Sequence, residues 1–153
     1  MNSRNLVQRN EMNAIVDQCE VCYVGMTDGD SPYVLPFNFA IEGDDLYLHS
    51  GPGGKKERIL QNNNKVCVAF STAYEMYRQN EEVACSWGMK FKSVLIFGKV
   101  EFVESKDEKI VILNKIMKKY SGKDDFKYND PAINNVVIYK IKIEEITGKA
   151  RGY

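Results

Sequence analysis

The sequence predicts a mainly β protein, a small six-stranded antiparallel barrel accompanied by a few helices. Two observations carry that expectation. Six runs rich in β-branched and aromatic residues recur along the chain: "VCYVGMT", "PYVLPFNFAIE", "LYLHS", "VCVAFS", "SVLIFGKVEFVE" and "NNVVIYKIKIEEI". The first three are separated only by "DGDS" and "EGDD", turn signals too short to hold a crossover helix, so those strands must run antiparallel as a meander.

The chain of 153 residues has the size of one domain, expected to span 1–153, and at that length roughly 70% of the unfolded surface is buried. Hydrophobic residues make up 44% and charged residues 27%, a globular composition rather than a disordered or membrane one. The formal net charge is zero, which removes any global field that would draw the molecule to nucleic acid or to an anionic membrane. The start "MNSRNLVQRNEMN" lacks the apolar core of a secretory signal, and no later run reaches membrane-spanning length. A cytoplasmic chain with no nucleic-acid or membrane partner is expected.

The elements follow in order. "EMNAIVDQC" places Met12, Ile15, Val16 and Cys19 at helical spacing, so a short helix should close near Glu20. Residues 21 to 41 then read as a hairpin, and "LYLHS" as a third strand. A lysine-led helix runs from about Gly54 to Gln61 and stops at "NNN". "VCVAFS" is the fourth strand, and "TAYEMYRQNEEVAC", without a clean period, reads as a loop returning to the sheet. "SVLIFGKVEFVE" is apolar on both faces at first, as though one end were buried on both sides. Ser105 and Glu108 form a capping-box pattern before a helix whose stripe is Ile110, Leu113, Met117 and Tyr120, ending before Gly122. The last strand puts Tyr139, Ile141 and Ile143 on one face.

Cys19 and Cys22 form a C-x-x-C pair, a spacing found in zinc sites and in thioredoxin-like redox motifs. Neither reading fits well. Cys67, Cys85 and His49 do not supply a second closely spaced ligand pair, and here the helix precedes the strand, the reverse of the redox motif. The four cysteines read as small buried hydrophobes, with no metal site.

Two stretches suggest a ligand. In "PYVLPFNFAIE" the odd face, Tyr33, Leu35, Phe37, Phe39 and Ile41, is apolar and belongs to the core. The even face carries Val34, Pro36, Asn38 and Ala40. A proline there removes a ladder hydrogen bond, so this is either an ordinary edge strand with a solvated Asn or a surface against which a planar ligand lies. In "LYLHSGPGGKKERIL" a strand ends in the only histidine, His49, passes Ser50 and a turn with Gly51, Gly53 and Gly54, and enters a helix led by Lys55 and Lys56. Converging turn amides, a helix N-terminus and two lysines favour a phosphate. Neither a Walker loop nor a dinucleotide fingerprint is present, and two lysines at a helix start also fit a solvated surface.

The segments P-x-N-F, Y-x-H-S and G-x-K, in this order within "PYVLPFNFAIEGDDLYLHSGPGGKKERILQNNNKVCVAF", together with "WGMKFKSVLIFGKVEFV", "ILNKIMKKY" and "ITGKARG", span nearly the whole chain. In them the chain resembles the pyridoxamine 5′-phosphate oxidase-like, FMN-binding split-barrel proteins, and among these the nitroimidazole-resistance (Nim) flavoprotein group. The resemblance implies a six-stranded split barrel that forms a homodimer with FMN at the subunit interface. It implies that Val34, Pro36 and Asn38 lie beside the flavin ring, that His49 and Ser50 lie by the ribityl chain and phosphate, and that Lys55 and Lys56 clamp the phosphate. Ser93 matches a position that approaches the cofactor. Trp87 is implied to contribute from the partner subunit, although alone it reads equally as an interface or core aromatic.

Where many relatives have "GRK", this chain has "GKK", which keeps the charge and loses a bidentate guanidinium. After Ile146 nothing reproduces the Trp and Arg segment of authentic pyridoxamine phosphate oxidases, so that reaction is not expected. The expected activity is an FMN-dependent reductase passing electrons from NAD(P)H to a small, nitroaromatic-like acceptor. His49, the only histidine, is the candidate for proton transfer or, equally, a phosphate-side donor. A flavin-binding or flavin-sensing module without turnover and a haem-handling protein are the alternatives.

Overall fold

Alternating apolar and polar residues fix which side of each strand turns inward, and the computed structural model, which describes residues 1–153, follows that alternation. In chain order the elements are β1 (Ser3–Leu6), α1 (Arg9–Gln18), β2 (Cys22–Asp28), β3 (Ser31–Phe37), β4 (Phe39–Glu42), β5 (Asp45–Ser50), α2 (Lys55–Asn62), β6 (Lys65–Arg78), β7 (Trp87–Val103), α3 (Lys106–Ser121), α4 (Asp130–Asn134) and β8 (Val137–Arg151). Every strand pair is antiparallel. The order across the sheet is β3-β2-β6-β7-β8-β5-β4, with β1 pairing the end of β8. The mainly β, antiparallel split barrel expected from the sequence is the fold, with eight strands in place of six.

Two departures account for the count. The polar start supplies β1, held by ladder bonds to β8 and by Leu6, which is buried. The run "PYVLPFNFAIE" is two strands, not one. β3 and β4 stand at opposite ends of the strand order, yet only Asn38 separates them in the chain. That corner brings the two edges of the sheet together covalently, without a hydrogen-bonded ladder between them. The expected meander is therefore overturned: β5 pairs with β4 and β8, not with β3.

The corner is braced from outside. Phe37 and Phe39 are buried on either side of exposed Asn38. Phe39 N–H donates to Tyr120 Oη at 3.1 Å, and that hydroxyl donates to the Glu20 carbonyl at 2.6 Å.

Inside the barrel, Val24, Met26, Val68, Phe70, Val94, Ile96, Leu46, Leu48, Tyr139 and Ile141 form the main core, with Phe39 packed edge-on to Phe70 at 5.0 Å. Met12, Ile15 and Val16 of α1 and Ile59 and Leu60 of α2 join it. A smaller core lies on the other side of β4, β5 and β8, where Ala40, Tyr47 and Ile138 meet Ile112, Leu113 and Ile116 of α3 and Ile133 of α4. Leu46, Tyr47 and Leu48 are consequently all buried, because both faces of β5 are covered.

Helix α3 is capped as expected. Ser105 Oγ accepts from Glu108 N–H at 3.4 Å, and Gly122 ends the helix in the left-handed region at φ 78°. Its buried stripe is Ile112, Leu113 and Ile116 rather than Ile110, Leu113, Met117 and Tyr120. Residues 110–113 are apolar without interruption, so spacing alone left two faces available, and contact with β4, β5 and α4 selected one.

The segment expected as a loop after Ser71 instead continues β6 to Arg78 and forms a long hairpin with β7. A register shift between Thr72 and Glu75, with Ala73 at φ 58°, breaks the period there. Tyr153 Oη donates to the Ala73 carbonyl at 2.7 Å, so the chain terminus holds the bulge. On β7, the inner residues Val94, Ile96 and Val100 are buried as expected, but the outer face is not: Leu95 is exposed and Phe97 half-buried.

Tyr120→Phe removes both bonds that brace the corner and leaves Phe39 N–H unpaired. It should destabilise the protein by about 1–3 kcal/mol, read in thermal melts as a Tm lower by several degrees. An unchanged Tm would show that the corner does not depend on this hydroxyl.

Candidate functional site

Strand β5 ends in His49 and Ser50, which point to opposite faces. Ser50 points inward with Leu46, Leu48 and Tyr139, and His49 outward with Tyr47 and its cross-strand partner Ile138. The turn that follows reverses the chain into α2. Gly53 and Gly54 adopt φ 77° and 93°, a region that residues with a Cβ avoid, so the turn depends on glycine there. The first amides of a helix lack partners within it. The N-cap Gly54 has no side-chain cap, and Gly53 N–H, one residue earlier, donates to Glu57 Oε2 of the same helix at 2.6 Å.

Beneath it, Ser50 Oγ lies 2.9 Å from Tyr139 Oη and 3.0 Å from the Gly51 carbonyl. A carbonyl only accepts, so Ser50 donates to Gly51 and Tyr139 donates to Ser50. Burial raises the Tyr139 phenol pKa, its bond to Ser50 opposes the rise, and the charge of Glu57 adds to it. The phenol is therefore a donor at neutral pH.

The outward side of α2 carries the cations. Lys55 Nζ is 4.0 Å from Asp28 on β2, and the Arg58 guanidinium approaches both oxygens of that carboxylate at 3.4 Å. Lys55 Nζ also lies 4.7 Å from the centre of the Tyr33 ring. Such exposed pairs are weak, so both cations stay available to a stronger anion. Lys56, next in the helix, is half-buried.

His49 is half-buried between the strand ends, and burial alone pushes its imidazole below the ordinary value of 6.5. It is neutral at pH 7 and has a nitrogen free to accept a proton.

The remaining expected residues fall into three places. Val34 and Pro36 lie on the outer face of β3, an edge strand where a proline is tolerated. They continue in register through Gly25 and Tyr23, Cys67 and Ala69, to Phe97 and Leu95, and Ser93 lies on that face one step along β7. Asn38 stands at the corner, its amide 3.5 Å from the Glu20 carbonyl. Trp87 lies at the far end of β7, on the order of 30 Å from the Val34 row, so one chain does not bring it to the others. Its indole N–H donates to the Glu81 carbonyl at 3.2 Å, and the Arg78 guanidinium lies 5.1 Å from its ring.

Glu57, Arg58, Asp28 and Tyr139 were not among the expected residues. Arg58 follows Lys55 by one helical turn, and Glu57 occupies the third helical position, where a capping glutamate stands, so both had a signal in the spacing. Tyr139 had none, because its place beside Ser50 comes from the pairing of β5 with β8. A cavity of about 640 Å³ lies elsewhere, between α3 and β4, and none of these residues lines it.

The cysteines divide. Cys19 and Cys22 are buried and unpaired, and burial pushes the Cys22 thiol up to about 12, away from reactive thiolate. Cys67 is half-buried and Cys85 exposed in the β6–β7 turn, so the expectation of four buried cysteines holds for two.

Comparison with known proteins places this architecture. The family model described as pyridoxamine 5′-phosphate oxidase matches residues 8–150. The chain belongs to that family. It is 40% identical to a candidate 5-nitroimidazole antibiotic resistance protein from Bacteroides thetaiotaomicron, covering 98% of this chain and 89% of that one, with a TM-score of 0.85. This likeness agrees with the nitroimidazole-resistance group indicated by the sequence. A flavocytochrome from Azotobacter vinelandii (20% identity, 97% of this chain and 70% of that one, TM-score 0.84) and an FAD and haem binding protein from Mycobacterium smegmatis (15%, 97% and 74%, TM-score 0.86) share the fold. No curated protein matches the sequence. No helix is long and apolar enough to cross a membrane.

Because the folded-state pKa of His49 lies below 6.5, the unfolded chain binds its proton more readily than the native one. Its contribution to stability is therefore complete above pH 6.5 and is lost as pH falls through the folded-state value. Denaturant titrations across that window should show this loss in the wild type and a flatter profile in His49→Gln. An NMR titration placing the imidazole at or above 6.5 would refute the burial argument.

Proposed function

We propose that this protein is an FMN-binding oxidoreductase that passes electrons from NAD(P)H to a small acceptor of the nitroaromatic kind. One observation carries the proposal: the glycine turn at the head of α2 holds a carboxylate on the Gly53 amide at 2.6 Å, and Lys55 and Arg58 of the same helix are engaged only in weak, exposed pairs with Asp28. A carboxylate stands in there for a phosphate oxygen, and a turn amide with cations on the same helix suits a phosphate monoester once the Ser50 hydroxyl turns from the Gly51 carbonyl. The residues present thus fit the phosphate end of FMN. Family membership over residues 8–150 supports the same reading.

In this reading Lys55, Lys56 and Arg58 neutralise the phosphate. Ser50 is held by Tyr139 with its oxygen toward the turn, and His49 lines the ribityl side. Val34 and Pro36 offer the ring a flat apolar surface, Asn38 supplies an amide at its edge, and Ser93 approaches from β7. When bound, FMN supplies the two-electron chemistry, taking electrons from the nicotinamide and delivering them to the acceptor. The protein orients the ring and limits water, and neutral His49 is the group suited to move a proton near pH 7.

We further propose a homodimer with the cofactor at its interface. Tyr23, Val34 and Leu95 stand exposed on the outer face of β2, β3 and β7, a surface that a second copy would cover. The projecting β6–β7 hairpin, with Tyr74, Met76 and Met89 exposed, could carry Trp87 of the partner subunit to the site.

The visible spectrum of the purified protein, with the released chromophore identified, tests the reading first. Flavin bands with FMN recovered, or FMN taken up on addition, are expected, followed by NAD(P)H oxidation when a nitroaromatic is supplied. Lys55→Ala and Arg58→Ala should each weaken FMN binding by about tenfold or more while the fold is retained, since each removes a charge-assisted contact. A colourless protein that ignores added FMN would refute the function. FMN binding without turnover would leave a flavin-binding module.

A further inference from the structure

We propose that Tyr153 is a positioning residue, a clasp that fixes the direction in which the β6–β7 arm leaves the barrel and so the place of Trp87. The consequence for the cofactor site rests on the function proposed above; the clasp itself does not.

The arm has little else to hold it. β2 pairs with β6 no further than Ala69, and β8 with β7 no further than Phe91, so the pairs from Glu75 and Lys90 out to Arg78 and Trp87 form a ribbon of two strands. Such a ribbon is marginally stable in water by itself. No residue from 71 to 93 is buried, and neither hydrophobic core reaches the arm.

Its direction is set at one point. The register slips between Thr72 and Glu75, a bulge of the kind that bends a strand and adds twist. Ala73, within it, is the one residue other than glycine at positive φ, 58°, a region that a Cβ disfavours. A conformation of that kind persists only where its surroundings hold it.

Tyr153 supplies the hold. Its hydroxyl donates to the Ala73 carbonyl at 2.7 Å, and the centre of its ring lies 4.9 Å from Lys92 Nζ and 5.7 Å from Lys90 Nζ, both on the opposite strand. One side chain thus grips both strands at the root of the arm. The segment that carries it is itself tied to the barrel: Gly152 N–H donates to the Asn2 carbonyl at 2.9 Å, and Arg4 Nε of β1 donates to the main-chain oxygen of Tyr153 at 3.4 Å. Released from the clasp, the arm is free to swing about the bulge, and Trp87 near its tip swings with it.

The clasp is tested without flavin, by hydrogen exchange of the amides of residues 75–78 and 87–90 and by the fluorescence anisotropy of Trp87, the only tryptophan. Tyr153→Phe loses the hydroxyl alone, and Tyr153→Ala loses the ring as well. Arm amides should exchange about fivefold faster in the first and about tenfold or more in the second, with lower anisotropy, while amides of β2 and β5 keep their wild-type rates. Adding Ala73→Gly to Tyr153→Phe should restore slow exchange, because glycine takes that φ without help. Arm rates equal to wild type, arm and barrel rates that rise together, or no rescue by glycine would each overturn the clasp.

FMN then tests the consequence for the site. Tyr153→Ala should lower FMN affinity by the same factor as Trp87→Ala, and the double variant by no more than either alone. Undiminished FMN affinity in a protein with a loosened arm would overturn the positioning role. A wild type that ignores FMN refutes the cofactor reading and this consequence with it, and the exchange rates still decide the clasp.

Discussion

A single exposed residue between two buried phenylalanines determines how this sheet closes. Asn38 is all that separates β3 from β4, and these strands stand at opposite edges of the strand order. Phe37 and Phe39 both belong to the barrel interior, so the chain must turn between them without exposing either. With no ladder across the seam, the corner relies on the Tyr120 hydroxyl and on the Glu20 carbonyl, which accepts from both Tyr120 and Asn38. Everything placed at the mouth of the barrel, including the end of β5, inherits its position from that closure.

The sheet has two outer faces with different fates. Over β4, β5 and β8 the helices α3 and α4 supply a second apolar layer, and Tyr47 and Ile138 are buried beneath it. Over β2, β3, β6 and β7 no helix lies on the outer side, and the surface presents Tyr23, Val34 and Leu95 to solvent. β7 shows the contrast within one strand: Val103 at its end packs under α3, whereas Leu95 is open. The apolar character of that open face is part of the sequence, and it is the face that the proposed ring site and second copy would share.

The electrostatics of the site are those of a poised surface rather than a locked one. Asp28 gathers Lys55 and Arg58 in exposed pairs, each worth little in water. Buried Tyr139 and half-buried His49 are both held neutral by desolvation, one as a donor and the other with a nitrogen able to accept. Charge therefore sits at the rim, the Tyr139–Ser50 pair lies on the inner face of the sheet, and His49 lies on the face covered by helices.

Much of this was legible in the order of residues. The helices α1 and α2, the capped start and glycine stop of α3, the β2–β3 hairpin and the glycine turn before Lys55 each rest on local chemistry, and each was readable. The same was true of the family, because its motifs are short runs of residues that are read without knowing which strands pair. What was not legible depends on partners distant in the chain. The split at Asn38 cannot be seen in a run whose apolar alternation passes through it unbroken. The continuation of β6 is hidden by the bulge at Ala73, which interrupts the period that marks a strand. The buried stripe of α3 was chosen by β4, β5 and α4 from a helix apolar on two sides, and Tyr139 meets Ser50 only because β5 pairs with β8. Local sequence determined the elements and the chemistry of the turn, since backbone preference and capping act within a few residues. Only the tertiary structure decided which edges meet, which faces are covered and which anion rests on Gly53, since those follow from packing between segments that the chain keeps far apart.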